Sequence, residues 1–324
     1  MKKITILFLN VIFVNLLFSN SFKLHLLFTN NIHGAIHEVP ARFINPEFSP
    51  ILAGGAGAFT YASKLREEAK LKKDFVMLTD AGNIFQGSQL GTYDGGSNII
   101  KWMNWMAYDA LAPGVRDFDQ GVNNLSQLAS EANFPFIASN LEGVDGIEDY
   151  KIINANGVKI GLIGLITPFI SEGLLPEYYE GVVVSDLMKT LGTQIEKIRG
   201  DVDLIFVLSH LGIPYDREDE YDDFIKDIEQ GVERPIRNAI ELAHFTDEVD
   251  VIITGGVSKG YDTPWVDPTN HTIVLQNYGN LTGIGHLVLH IDNQNKVIEN
   301  YSFPTERGTV SYTHLTLPTM AIVW

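Results

Sequence analysis

Short continuous apolar runs alternate with longer stretches whose apolar positions recur every three to four residues. The continuous runs are "KLHLLFT" (23–29), "DFVMLTD" (74–80), "FPFIASN" (134–140), "VKIGLIGLIT" (158–167), "VDLIFVLSH" (202–210), "VDVIITG" (249–255), "TIVLQNY" (272–278) and "GHLVLHID" (285–292). Unbroken Val, Ile and Leu, rather than strict alternation with polar residues, is the pattern of strands buried on both faces. Helical spacing appears in "GAFTYASKLREEAKLK" (57–72), in "SDLMKTLGTQIEKIRG" (185–200) and in "RPIRNAIELAHF" (234–245). In the second of these Ser185 is the expected cap and Gly200 the expected stop. The run "IIKWMNWMAYDA" (99–110) is also amphipathic and leads into a strand end at "LAPGVRDFD" (111–119). Alternation of strands and helices predicts an α/β protein with helices covering the sheets. The last strands follow one another without helices, so mixed sheets with antiparallel pairs are expected.

The chain has 324 residues, enough for one large domain or two ordinary ones, and a formal net charge of −17. That charge repels nucleic acid and anionic membrane, which excludes both as expected partners. The acidic run "DREDEYDDFIKDIEQ" (216–230) reads as a solvated loop leading into a helix rather than a docking site. At the start, Lys2 and Lys3 precede "ITILFLNVIFVNLLF", followed by Ser19 and Ser21 around Asn20. A basic stretch, an apolar core and a small-x-small site predict a signal peptide over residues 1–21 and a secreted, extracellular protein with no transmembrane span after cleavage. There are no cysteines, so no disulfide framework accompanies that route. Four N-x-S/T triplets at Asn124, Asn270, Asn280 and Asn300 are candidate glycosylation sites.

In α/β proteins the polar residues at strand C-termini are the first candidates for a site. Here those ends read "TNNIH" (29–33), "DAGN" (80–83), "GVRDFD" (114–119), "SH" (209–210) and "GGVSK" (255–259). Together with "GGAGAF" (54–59), "MNWMAYDA" (103–110), "FPFIASNLE" (134–142) and "IGLIGLITP" (160–168), this ordered series resembles the 5′-nucleotidase/apyrase family, whose catalytic domain is a calcineurin-like metallophosphoesterase. The resemblance runs from about Leu24 to Pro304. It implies a four-layer α/β/β/α sandwich over residues 22–304. It also implies that family members carry a second, C-terminal nucleotide-binding domain, which is expected to be absent here. Residues 305–324, "TVSYTHLTLPTMAIVW" at their end, read as a non-native-looking tail.

The family's chemistry uses two divalent metal ions, such as zinc, that clamp a phosphate and activate water. Carried over by position, its metal ligands fall on Asn31, His33, Asn83 and Lys259, and on Asn83, Val115, His210 and Val257. Its catalytic His falls on Arg116, with Asp119 as that residue's partner. Only His33 and His210 remain good ligands. An Asn oxygen is neutral and cannot bridge two dications, valine cannot ligate, and Lys259 and Arg116 bring positive charge. Arg116 is expected to pair with Asp119, or with Asp80 nearby. The expected function is therefore that of a catalytically inactive, secreted relative with no cofactor. Extracellular nucleotides are the family's substrate class, and phosphate or a protein is the alternative partner. Two other readings stand beside it: an active nucleotide phosphohydrolase with an altered metal site, and a non-functional fragment of a longer gene.

Overall fold

A computed structural model of the chain describes residues 21–40, 46–49, 51–52 and 54–304. The expected signal peptide, up to Asn20, and the tail after Pro304 lie outside the described residues. The parallel centre of the first sheet orders Ser21–Thr29, Phe75–Asp80, Ala110–Leu111, Phe136–Ile137 and Ile147–Glu148. Two antiparallel strands, Gly285–Asp292 and Val297–Ser302, extend its other edge. The second sheet places Val158–Ile166, Leu204–His210, Val251–Thr254 and Ile273–Leu275 in parallel, flanked by the antiparallel edge strands Tyr150–Ala155 and Trp265–Val266.

Side-chain alternation builds the layers. Leu24, Leu26, Phe28 and Met77 face Leu162, Phe206, Leu208 and Ile253 between the two sheets. Leu27 and Leu78 point the other way, against a cluster that includes Ala62, Ile99, Met103 and Leu128. Ile163, Ile205 and Val207 pack against Leu191, Ile195, Ile240 and Leu242 on the far side. Helix, sheet, sheet and helix follow in order, which is the expected α/β/β/α sandwich.

Several elements differ from the sequence expectation. The run 134–140 contributes only the two-residue strand Phe136–Ile137. The hairpin partner Tyr150–Ala155 is an addition to it, although Asn156–Gly157 supplies the positive φ values (54° and 96°) that a tight hairpin turn requires. The acidic run is mostly helix, Arg217–Glu229, because Tyr221 and Phe224 give it a buried edge. The helix Leu187–Ile198 is capped by Asp186, whose side chain accepts from the Lys189 N–H at 2.8 Å; Ser185 instead donates its backbone N–H to Asn140. Of the four sequons, Asn280 and Asn300 are exposed. Asn124 and Asn270 are half-buried, and their side-chain amides donate to the carbonyls of Gly95 and of Ala243 and His244.

A polar chain crosses the interface between the first sheet and the helix Gly54–Lys72. Tyr61 Oη lies 2.6 Å from His286 Nδ1, His286 Nε2 lies 3.0 Å from His25 Nδ1, and His25 Nε2 lies 3.7 Å from an Asp74 oxygen. One proton assignment satisfies every link: Tyr61 donates to His286 Nδ1, His286 Nε2–H donates to His25 Nδ1, and the His25 Nε2–H faces Asp74. Both rings are neutral in that assignment. Burial pushes His286 down to about 3, with the neighbouring His25 adding to the shift. A histidine lowered in the fold contributes stability that is complete above its unfolded pKa of about 6.5 and is lost as pH falls toward 3. Buried carboxyls raised by burial, such as Asp80 and Asp117, act in the opposite sense. The contrast with a His286→Gln variant isolates the effect. Urea unfolding at pH 7 and pH 5 is expected to show the wild type losing about 2 kcal/mol relative to that variant. Parallel pH profiles for the two proteins would contradict the assignment.

Candidate functional site

Five segments meet at the C-terminal ends of the parallel strands. Residues 31–34 pair with 82–84 through Asn31 N–H to Gly82 O (2.8 Å), His33 N–H to Asn83 O (3.0 Å) and Gly34 N–H to Ile84 O (2.8 Å). Asp117 joins 83–84 to 114 by accepting from the backbone N–H groups of Asn83 (2.8 Å), Ile84 (2.7 Å) and Gly114 (2.8 Å). His210 Nδ1 lies 2.5 Å from Ala81 O and ties the second sheet to the first. The Asn31 carbonyl oxygen Oδ1 accepts from Gly256 N–H at 2.9 Å, and Asn280 N–H donates to the Asn31 backbone oxygen at 2.7 Å. Asn30 completes the frame by exchanging two hydrogen bonds with the backbone of Asn277 (2.8 and 3.0 Å).

The turns need unusual backbone. Asn31, His33 and Asn83 have φ of 51°, 52° and 62°. Asparagine tolerates this region, whereas His33 carries strain on the order of 1–2 kcal/mol. Gly114 has no alternative, since a Cβ there would stand 2.4 Å from Asn83 Oδ1 and 2.6 Å from His210 Cε1. That crowding also shows how closely Asn83, Gly114 and His210 approach one another.

The structure thus brings Asn31, His33, Asn83, His210 and the backbone of Arg116 together. Asn31 Nδ2 lies 3.4 Å from His33 Nε2, and Asn83 Oδ1 accepts from Arg116 N–H at 2.8 Å. His33 Nδ1 is 2.8 Å from Gln86 O. Each imidazole therefore anchors its Nδ1–H on a backbone carbonyl and turns Nε2 inward. Burial holds His210 down at about 4, and the neighbouring His33 adds to this. His33 is lowered by burial too, with the Arg116 charge acting in the same direction. Both rings are neutral at neutral pH.

The charged residues follow expectation only in part. Arg116 pairs with Asp119 at 3.6 Å, but its side chain is 51% exposed, so the pair contributes less than about 1 kcal/mol. Asp80 is not its partner. It is fully buried, accepting from Thr29 Oγ1 at 2.5 Å and Gly82 N–H at 2.7 Å, and burial raises it well above the usual carboxylate range. The Lys259 ammonium is held on the Tyr215 carbonyl at 2.5 Å and lies 5.4 and 5.0 Å from the Tyr215 and Tyr261 ring centroids. Val115 packs toward Gly173 and Val257 toward Gly212. Asp117, fully buried and raised to about 6 by burial, is a site residue that sequence reasoning misses although it sits inside the "GVRDFD" motif. Asn30 and the Thr29–Tyr108 hydroxyl contact (2.8 Å) are missed in the same way.

These residues do not fit a pair of dications. The two amide oxygens that replace family ligands are occupied by backbone N–H groups, and the two buried carboxylates are spent on the loops. Among the described residues no group of three or more His, Cys, Asp or Glu side chains is placed to share a metal ion.

No family model matches the chain. The snake venom 5′-nucleotidase of Crotalus adamanteus is 33% identical over 158 residues, covering 46% of this chain and 26% of that protein. In structure, the 5′-nucleotidase precursor from Thermus thermophilus superposes with a TM-score of 0.68 at 21% identity, covering 87% of this chain and 54% of that one. The calcineurin-like phosphoesterase YfkN from Bacillus subtilis gives 0.65 at 20% identity, covering 93% and 97%. The fold is that of the calcineurin-like phosphoesterases. Within that class the chain is related in sequence to the 5′-nucleotidases, and it spans between about a quarter and two-fifths of the length of the curated relatives it matches.

The loop frame predicts a sharp contrast between neighbouring residues. Asp117→Ala strands three buried N–H groups and is expected to cost about 3–5 kcal/mol in urea unfolding. Arg116→Ala is expected to cost less than about 1 kcal/mol. Equal costs for the two would show that the buried carboxylate is not what holds the loops.

Proposed function

We propose that this chain is a secreted, catalytically inactive member of the 5′-nucleotidase lineage, in which hydrogen bonds occupy the positions that di-metal chemistry requires. The observation that carries the reading is the closure of Asn83 Oδ1 by Arg116 N–H and of Asn31 Oδ1 by Gly256 N–H. A bridging group must offer lone pairs and negative charge to two ions, and these amides offer neither freely. Extracellular placement rests on the N-terminal pattern and the sequons. Among those sequons, Asn280 and Asn300 are the exposed pair. The reading treats extracellular nucleotides as the ancestral substrate class and a protein as the partner. Phosphate at the same place is disfavoured, since Arg116 and Lys259 are both engaged elsewhere.

One observation favours the second reading, an active phosphohydrolase with an altered site. His33 and His210 both hold Nδ1 on a backbone carbonyl and present Nε2, the posture of metal-ligating histidines. Two neutral imidazoles offer a weak hold on one ion and no means of bridging a second.

Hydrolysis of AMP, ADP and ATP, assayed with added zinc, manganese or cobalt, is expected to remain at background. Metal-dependent turnover that disappears in His210→Ala would overturn the inactive reading and establish the second one.

A further inference from the structure

At the end of the first sheet opposite the candidate site lies an open, groove-like cavity of about 930 Å³. Arg66, Lys70, Lys72 and Lys73 line it, with Asp74 as the one carboxylate among the lining residues. That balance runs against the chain as a whole, whose net charge is −17.

Two of these cations have an ordinary explanation. Lys70 and Lys72 close the helix Gly54–Lys72, where positive charge offsets the exposed carbonyl end. Lys73 does not. Its φ is 60°, the left-handed region that normally takes glycine or asparagine after a helix, so a lysine there carries strain that glycine would not. The rim is fixed around it. Asn156 Nδ2 donates to Lys73 O at 3.0 Å, and Asn293 Nδ2 donates to Asn156 O at 3.2 Å, joining the ends of both sheets to the helix. The Arg66 guanidinium is anchored on Met106 O (2.7 Å) and Ala107 O (2.9 Å). Asp74 is the one opposing charge, and its oxygens are turned toward the first strand, where they meet Lys23 N–H at 2.8 Å and His25 Nε2 at 3.7 Å.

We propose that this cavity binds a small, multiply charged anion bearing phosphate or sulfate groups, with Lys70, Lys72 and Lys73 as its cationic contacts. The site is independent of the strand-end loops and of whether they support catalysis.

The test is calorimetry on the full chain at low ionic strength, with inorganic tripolyphosphate in one arm and a heparin-derived sulfated oligosaccharide in the other. Saturable binding in either arm is expected, and the stronger arm identifies the phosphate or the sulfate form. Binding is expected to weaken about tenfold as salt is raised to physiological strength. Lys70→Ser and Lys72→Ser are each expected to weaken it about fivefold, the effect of one partly screened charge. Lys73→Gly is expected to weaken binding similarly while raising the thermal midpoint, because glycine adopts that φ without strain. A lysine with a merely structural role would not move the two readouts in opposite directions. Absence of binding in both arms, or binding that survives these substitutions, would overturn the assignment. So would binding abolished instead by Arg116→Ala, which would move the anion to the strand-end loops.

Discussion

The carboxylate of Asp117 is the constraint on which the strand-end region depends. It is fully buried and accepts three backbone N–H groups, from two loops that are distant in sequence. An ionised carboxylate in such a place is costly unless every oxygen is satisfied, and three N–H groups left without it would be costly in turn. The arrangement is therefore stable only when complete. It fixes Asn83 in its left-handed turn, which sets its side-chain oxygen against Arg116 N–H, and it holds Gly114 against His210. Asp80 acts similarly in the layer beneath, clasping Thr29 and Gly82 beside the Tyr108 hydroxyl.

That frame explains how the loops keep their geometry with so few ligands. Both amides that stand in place of acidic ligands accept a backbone N–H without bringing a negative charge into the buried centre. Asn31 uses both ends, accepting from Gly256 N–H and approaching His33 Nε2 with its amino group. The two imidazoles are neutral and anchored. The result is a centre whose inward-facing Asn31, His33, Asn83 and His210 carry no charge, with Arg116 and Asp119 paired at its edge. A pocket of this kind needs no dication to offset internal repulsion.

Much of this was legible in the sequence because strand-end motifs keep their order and spacing even when individual ligands change. The continuous apolar runs located seven of the main strands, and the series from "TNNIH" to "GGVSK" indicated which ends converge. What escaped had physical causes. Asp117 lies between Arg116 and Asp119, and nothing local distinguishes a carboxylate aimed at the backbone from one aimed at a cation. Lys259 carries a long flexible stem, so its position predicted the residue but not the Tyr215 carbonyl that holds its head. The acidic run 216–230 read as a loop leading into a helix, rather than as helix almost throughout, because that helix buries only a narrow edge, chiefly Tyr221 and Phe224. The cap at Asp186 rather than Ser185 is a one-residue choice between two good capping side chains, decided by the tertiary contact of Ser185 with Asn140.

The central claim is that hydrogen bonds, not metal ions, hold the strand-end loops. The most direct measurement is the thermal unfolding midpoint of the purified chain in excess EDTA and again with excess zinc. A ligand that binds the folded state at concentrations far above its dissociation constant stabilises it by several kcal/mol, which moves the midpoint by several degrees. The account predicts the same midpoint in both conditions. A midpoint several degrees higher in zinc, lost when His33 and His210 are replaced by alanine, would contradict it.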